Sequence, residues 1–335
     1  MKTIFSSLLL GRLSTSLVYA QDFKSEAGWQ FSLSLNSAYV SGQSNISVTD
    51  DNETMSDLYN EAETSNDVIV FPLPEAKYLS KDLKTEFFLG ASREQISFSP
   101  FSYELGVSQE LDNKSKLTFA YSPQLPLFNE TWQDPYVVGQ SRQETDIDTH
   151  ALRVEFSGIA GGPITLKYGF ALTRIEDDQS GQSYSSLTLQ EQQDLQRDSQ
   201  FHRVAVETML PIFINNQTKV FFKPNLQYTT RLADGEAISY DDYNLKLGFL
   251  IFSGRHTSIT NVSLGSTLYK QENPIFDMKQ DSINIGISSI YSYAQPFNYK
   301  PLTFTLMAGY SQKDSDITFF DESGFIVSTG MTYTF

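Results

Sequence analysis

Along most of the chain, apolar and polar side chains alternate in runs of about ten residues, the length of a tilted strand that crosses a bilayer. At the C-terminal end Phe325, Val327, Met331, Tyr333 and Phe335 share one face, and Gly324, Ser328, Gly330, Thr332 and Thr334 share the other. Leu302, Phe304, Leu306, Ala308 and Tyr310 repeat the pattern, as do Tyr243, Leu245, Leu247, Phe249 and Ile251. So do Val220, Phe222, Leu226 and Tyr228, and Ile164, Leu166, Tyr168, Phe170 and Leu172. The opposite faces carry Gly, Ser, Thr, Asn and Lys. A soluble sandwich turns its apolar face inward, whereas these small and polar faces suit the inside of a barrel whose apolar face meets lipid. The chain holds 18 Tyr and 25 Phe against 24 Lys plus Arg, a ratio in keeping with aromatic girdles.

Residues 1–20 read as a cleavable export signal, with Lys2 before Ile4 to Leu10 and the small-residue site Val18-Tyr19-Ala20 before Gln21; Arg12 interrupts the apolar core. The mature domain is then 21–335. No run of 18 apolar residues remains, which excludes membrane helices, and the absence of cysteine excludes a disulfide scaffold. Removing Lys2 and Arg12 leaves 22 basic against 40 acidic residues, a net charge of −18, so nucleic acid is not an expected partner.

Short turns near 80–84, 111–114, 158–163, 215–217, 253–256 and 295–299 alternate with long polar connections at 42–66, 122–149, 175–199, 231–240, 271–280 and 312–322, and with a shorter one at 92–98. Interleaved, they predict an all-β, transmembrane, antiparallel up-and-down barrel of fourteen strands, from Trp29 to Phe335, with both termini on the short-turn side. Pro72 and the weakly alternating stretch 87–101 leave twelve or sixteen strands open.

These features resemble the outer-membrane β-barrel proteins of Gram-negative bacteria. The terminal Met331-Thr332-Tyr333-Thr334-Phe335 is similar to the signal read by the barrel-assembly machinery, which the resemblance makes a partner through Phe335. The run from Thr131 to Thr145 (TWQDPYVVGQSRQET) resembles uncharacterised barrels of marine gammaproteobacteria. The resemblance implies the outer membrane as the location, with its lipid and lipopolysaccharide as surroundings. It does not choose among porins, fatty-acid transporters and embedded hydrolases.

Only three histidines are available to an enzyme. His256-Thr257-Ser258 is similar to the His-x-Ser of outer-membrane phospholipases but falls in a turn on the periplasmic side. His150 and His202, near Asp146, Asp148 and Asp198, could serve an omptin-like protease only as rim residues. No catalytic residue is assigned, and an enzyme is the less favoured reading. Acidic loops, beginning with Asp50, Asp51 and Glu53, offer oxygen ligands to Ca²⁺ or Mg²⁺, the one cofactor expectation. Strand parity turns Lys116, Arg153, Lys167, Arg203, Lys223 and Lys246 inward, with Glu86, Glu104, Glu155 and Glu207 beside or opposite them, Arg153 near Glu155 and Arg203 near Glu207. Lys116, Arg153, Glu155, Lys167, Arg203, Glu207, Lys223 and Lys246 are therefore the pore-lining candidates. The function expected is a porin-like channel for passive diffusion of small hydrophilic solutes, with cation preference from the acidic mouth at low salt and an anion tendency from the inward bases at high salt. The alternative is a structural or adhesion barrel with these charges paired inside the wall.

Overall fold

A computed structural model describes residues 26–91, 103–123 and 129–335; the export signal at 1–20 and the connection at 92–98 lie outside the described residues. The chain folds into a closed antiparallel barrel of fourteen strands. In chain order these are β1 (Gly28–Gln43), β2 (Thr64–Leu79), β3 (Thr85–Ala91), β4 (Tyr103–Glu110), β5 (Lys116–Ser122), β6 (Glu144–Ser157) and β7 (Ile164–Ile175). Strand β8 runs through Ser199–Thr208 and, past a break, Leu210–Ile214. There follow β9 (Thr218–Ala233), β10 (Tyr240–Ser253), β11 (His256–Tyr269), β12 (Ser282–Ala294), β13 (Leu302–Ser315) and β14 (Glu322–Thr334). Each strand pairs with its sequence neighbours, and β1 closes the ring on β14 through a register that includes Leu33 with Tyr333 and Val40 with Ile326. Closure leaves no open sheet edge to desolvate in lipid.

The alternation fixes which way each strand faces. On β1, Trp29, Phe31, Leu33 and Leu35 stand exposed while Ser32, Ser34, Ala38 and Val40 are buried. On β14, Phe325, Val327 and Met331 are exposed while Ile326, Ser328 and Thr332 are buried. The exposed set forms the lipid face. Pro72, which left the strand count open, lies with Pro74 on that face of β2, in register with Leu35 and Leu33, and neither interrupts the strand.

Local chemistry makes the short turns. Asn215 Oδ1 accepts the backbone N–H groups of Gln217 and Thr218, folding the β8–β9 turn. Gly158 has φ 69, and a Cβ there would approach Lys114 O to 3.1 Å, so glycine suits that corner.

Two expected loops are shorter than the sequence suggests. β6 already begins at Glu144 within the expected 122–149 connection, and β13 extends to Ser315 within 312–322. Polar residues populate both faces of these extensions, because a ladder that rises above the lipid keeps its backbone hydrogen bonds without needing apolar side chains. For the same reason His150 lies well inside β6.

Candidate functional site: the charged wall and the lid

Inside the barrel, β4 to β9 build a charged wall. Arg153 is only 6% exposed, beside Leu152 at 53% on the lipid side. Its guanidinium donates to Glu104 Oε1 at 2.8 Å and to Glu155 Oε2 at 2.9 Å. One strand pair further on, Lys167 Nζ lies 3.1 Å from Glu207 Oε2 and Lys223 Nζ lies 3.0 Å from Glu207 Oε1. Asn225 Nδ2 also donates to Glu207, at 3.1 Å. The sequence placed Arg203 near Glu207, but Arg203 Nε donates to Thr229 Oγ1 at 3.0 Å, and the carboxylate takes the two lysines instead. The physical reason is register: Glu207 stands opposite Thr165 and Asn225, next to Lys167 and Lys223, whereas Arg203 lies four residues up its own strand. Lys246 is half-buried on the inner face of β10, opposite Asn225 and Ser263, and Lys116 opens β5 at the short-turn end opposite Glu110 and Ser157. Arg153, Lys167 and Lys223 thus stand in carboxylate pairs, so this stretch of wall is charged but locally balanced.

The long-loop end is closed by a lid with its own apolar core. Met55 and Leu58 from the β1–β2 loop, Tyr136 from β5–β6, Leu195 from β7–β8, Ala237 and Ile238 from β9–β10, and Ile317, Phe319 and Phe320 from β13–β14 form one buried cluster. Ile275 and Phe276 of the β11–β12 loop pack against it. Because these six loops rise from strands all round the ring, their shared core spans the mouth.

The run that carried the narrower resemblance, Thr131 to Thr145, holds this lid together. Tyr136 sits at its centre, with its ring centroid 5.6 Å from Phe319, 6.4 Å from Phe320 and 6.3 Å from Phe276. Asn273 Nδ2 donates to the Tyr136 hydroxyl at 3.1 Å, and burial pushes that hydroxyl's pKa above its ordinary value. Asp134 accepts the backbone N–H groups of Gly181 and Ser183 at 3.0 Å, tying in the β7–β8 loop. Trp132, 1% exposed, donates Nε1 to Ser47 O, and Arg142, 2% exposed, donates to the carbonyls of Asn45, Asn52 and Pro135. Burial lowers the Arg142 pKa to about 9, the Asp134 charge opposing that shift. Arg197 fastens the lid from another side, donating to Asp178 and to the carbonyls of Trp132 and Gln133. The sequence showed this run as a long polar loop. Its signal was the spacing of Trp132, Tyr136 and Arg142, bulky residues that an open solvated loop does not need.

The candidate cation ligands do not converge. Asp50 and Asp51 are exposed in a short turn, Asp50–Asn52, and Glu53 accepts the Ser141 hydroxyl. Among the described residues no three potential metal-ligating side chains cluster. The histidines pair with tyrosines across neighbouring strands: His150 Nδ1 is 2.6 Å from the Tyr121 hydroxyl, His202 Nδ1 is 2.9 Å from Tyr168, and His256 Nδ1 is 2.7 Å from Tyr291. By parity all three lie on the outer face of the barrel, with β7 between His150 and His202, and so none enters the charged wall.

Several solved outer-membrane proteins have a similar fold. OmpT of Vibrio cholerae is 9% identical, covering 93% of this chain and 99% of that one with a TM-score of 0.41. An anion-selective porin from Comamonas acidovorans is 9% identical, with 92% and 98% covered and a TM-score of 0.40. A FadL homologue of Pseudomonas aeruginosa is 11% identical, with 91% and 90% covered and a TM-score of 0.39. No curated protein matches the sequence. The family model described as "Protein of unknown function (DUF2860)" matches residues 28–334, nearly the whole barrel from β1 to β14, and the chain belongs to that family.

Proposed function

We propose that this barrel is an outer-membrane channel for passive diffusion of small hydrophilic solutes, gated at its outer mouth by the lid. The observation that carries the reading is the pairing of an inward charged wall with a mouth closed by a separate core. A barrel that serves only as an anchor can fill its interior with neutral side chains and has no use for a lid that can part from the wall. The balanced wall sets up a transverse field between carboxylates and ammonium groups across short distances, which favours hydrated, dipolar or small ionic solutes over apolar ones. It also weakens the expected anion tendency, because Arg153, Lys167 and Lys223 each face a carboxylate. Cation preference from the acidic loops at low salt stays part of the proposal.

The same reading includes export by the 1–20 signal and insertion by the barrel-assembly machinery through Phe335, whose ring is exposed and 4.8 Å from Tyr333. It includes lipopolysaccharide around the outer rim, with Ca²⁺ or Mg²⁺ bridging acidic loops to its phosphates, and a lineage near the marine barrels that the 131–145 run resembles. No catalytic step is proposed. Planar-bilayer recording tests the channel: the folded wild type should open rarely, and a lid variant carrying Tyr136→Ala with Phe319→Ala should give frequent discrete steps. Silence from both, with the barrel intact on a heat-modifiability gel, would favour the structural barrel.

A further inference from the structure

On the short-turn side the rim of the ring is stepped at β8. The ladder between β7 and β8 stops at Ile164 opposite Thr208, yet β8 runs on through Leu210–Ile214. Among the described residues this continuation pairs with β9 alone, Leu210 standing opposite Phe222 and Ile214 opposite Lys219. On its other side β9 stays flush with β10, with Thr218 opposite Ser253. A two-stranded hairpin therefore projects past the end of β7. The β8 side of that hairpin is an edge whose outward backbone groups have no ladder partner.

The side chains of this edge are apolar and open on both faces. Met209, Leu210, Ile212, Phe213 and Ile214 are each at least 42% exposed, and Pro211 is exposed among them. Exposed and buried residues alternate along the strands of the ring, but here every position is exposed. No charged residue occurs from Thr208 to Thr218, although charge is the usual means of blunting an edge. The β6–β7 turn above the step leaves room as well, since a Cβ on Gly161 would meet nothing within 4 Å.

From this arrangement we infer that the edge takes an extended polypeptide segment with an uncharged, apolar centre, which adds a strand to β8 at the short-turn rim. The ladder groups select the occupant. Acyl chains offer neither donors nor acceptors and would leave the backbone unmet, whereas water would meet the backbone and leave both apolar faces wet. An added strand answers both, with main-chain bonds along the edge and side chains laid beside each face. A second copy of the barrel does not fit. Two barrels upright in one membrane are related by an axis along its normal, so strands tilted by about 35–45° would cross at roughly 70–90° and form no ladder. Pro211, which lacks an N–H, and the register shift between Pro211 and Phe213 also interrupt a match between identical edges. A charged partner residue at the centre would lose water without meeting a counter-charge. The inference stands apart from the channel reading, since a silent barrel has the same edge.

The probe is a labelled peptide copying Gln217–Lys223, whose residues from Lys219 to Phe222 already pair with this strand on its other side. Fluorescence anisotropy follows it as full-length, detergent-folded protein is added, with empty micelles as the blank. Saturable binding in the micromolar range is expected. The same peptide N-methylated on alternate backbone nitrogens keeps its side chains and charge but loses ladder donors, and it should bind about tenfold more weakly, as the loss of one or two net hydrogen bonds requires. Ile212→Lys, which charges the edge, should weaken binding of the plain peptide by a similar factor, and Phe213→Lys serves if that variant does not fold. No saturable binding by the folded wild type, equal binding of the two peptides, or binding unchanged in the folded variants would overturn the inference and leave the hairpin as a lipid contact. Because the chain has no cysteine, Ile212→Cys supplies a single thiol. Its complete conversion to disulfide-linked barrels in membranes would assign the edge to a second copy and would equally overturn it.

Discussion

The guanidinium of Arg142 lies 4.3 Å above the Trp132 ring centroid, and the two side chains together hold four carbonyls of the lid, those of Ser47, Asn45, Asn52 and Pro135. A buried planar cation that is stacked and forked onto carbonyls cannot be replaced by lysine without losing geometry. Arg142→Met should leave the carbonyls of Asn45, Asn52 and Pro135 short of donors and weaken lid closure by about 3 kcal/mol. Limited proteolysis checks it: cleavage within the β1–β2 and β7–β8 loops should accelerate while the barrel itself stays heat-modifiable. Arg142→Lys should fall between the two.

The lid should also respond to pH through Asp321. Burial raises its carboxyl pKa above the usual value, with Asp314 and Glu61 adding to the effect and the Ser315 N–H opposing it. The closed lid therefore disfavours the ionised carboxylate, whereas a released loop does not. Closure gains stability as pH falls through the raised range and loses it as pH rises beyond, the sense required when the folded state holds its proton longer. Proteolysis of the β13–β14 loop should be slower at acidic than at neutral pH, and Asp321→Asn, which keeps the acceptor for Ser315, should flatten that dependence.

Glu207 neutralises two lysines at once, so Glu207→Gln exposes the charge balance of the wall. Lys167 and Lys223 would then face a neutral amide, adding one positive charge to the lumen. The anion-to-cation permeability ratio should rise by about fivefold at low salt, equivalent to ~1 kcal/mol between unit charges about 4 Å apart in a watery setting, and less at high salt. Reversal potentials across a salt gradient measure this directly. A ratio that does not move would place the permeating ion away from this wall. Arg153→Ser is the harsher change, since Glu104 beside it is 2% exposed and would lose the guanidinium that donates to both of its oxygens.

Leu264, 55% exposed midway along β11, tests which face meets lipid. Leu264→Arg should destabilise the folded barrel in bilayers by about 2–4 kcal/mol, the cost of an arginine at the midplane. Ser263→Arg, one residue away on the inner face, should cost less in stability and act on conductance instead. Denaturant titration of folding into vesicles compares the two, and equal penalties would contradict the parity.

The barrel was legible because period-two alternation needs no tertiary information: Phe325, Val327 and Met331 declare a lipid face by themselves, and the alternation of short turns with long loops favours fourteen strands, while Pro72 and 87–101 left twelve or sixteen open. The inward placement of Arg153, Glu155, Lys167 and Glu207 follows from the same parity. The partner of each charge does not. Register between strands decides whether Glu207 meets Arg203 or the two lysines, and a shift of two residues keeps the facing while changing the neighbour. The lid was hidden for a deeper reason. Its core is assembled from single apolar residues, such as Met55, Tyr136, Leu195 and Phe319, scattered over loops far apart in sequence. No periodicity links them, because loops have none, and only closure of the ring brings them over one mouth. The sequence by itself thus determined an all-β membrane barrel and the facing of its residues, with fourteen strands expected and twelve or sixteen left open, since local alternation carries the facing, while tertiary structure decided the strand count, which charges pair and what closes the mouth, since each depends on residues that only the closed ring brings together.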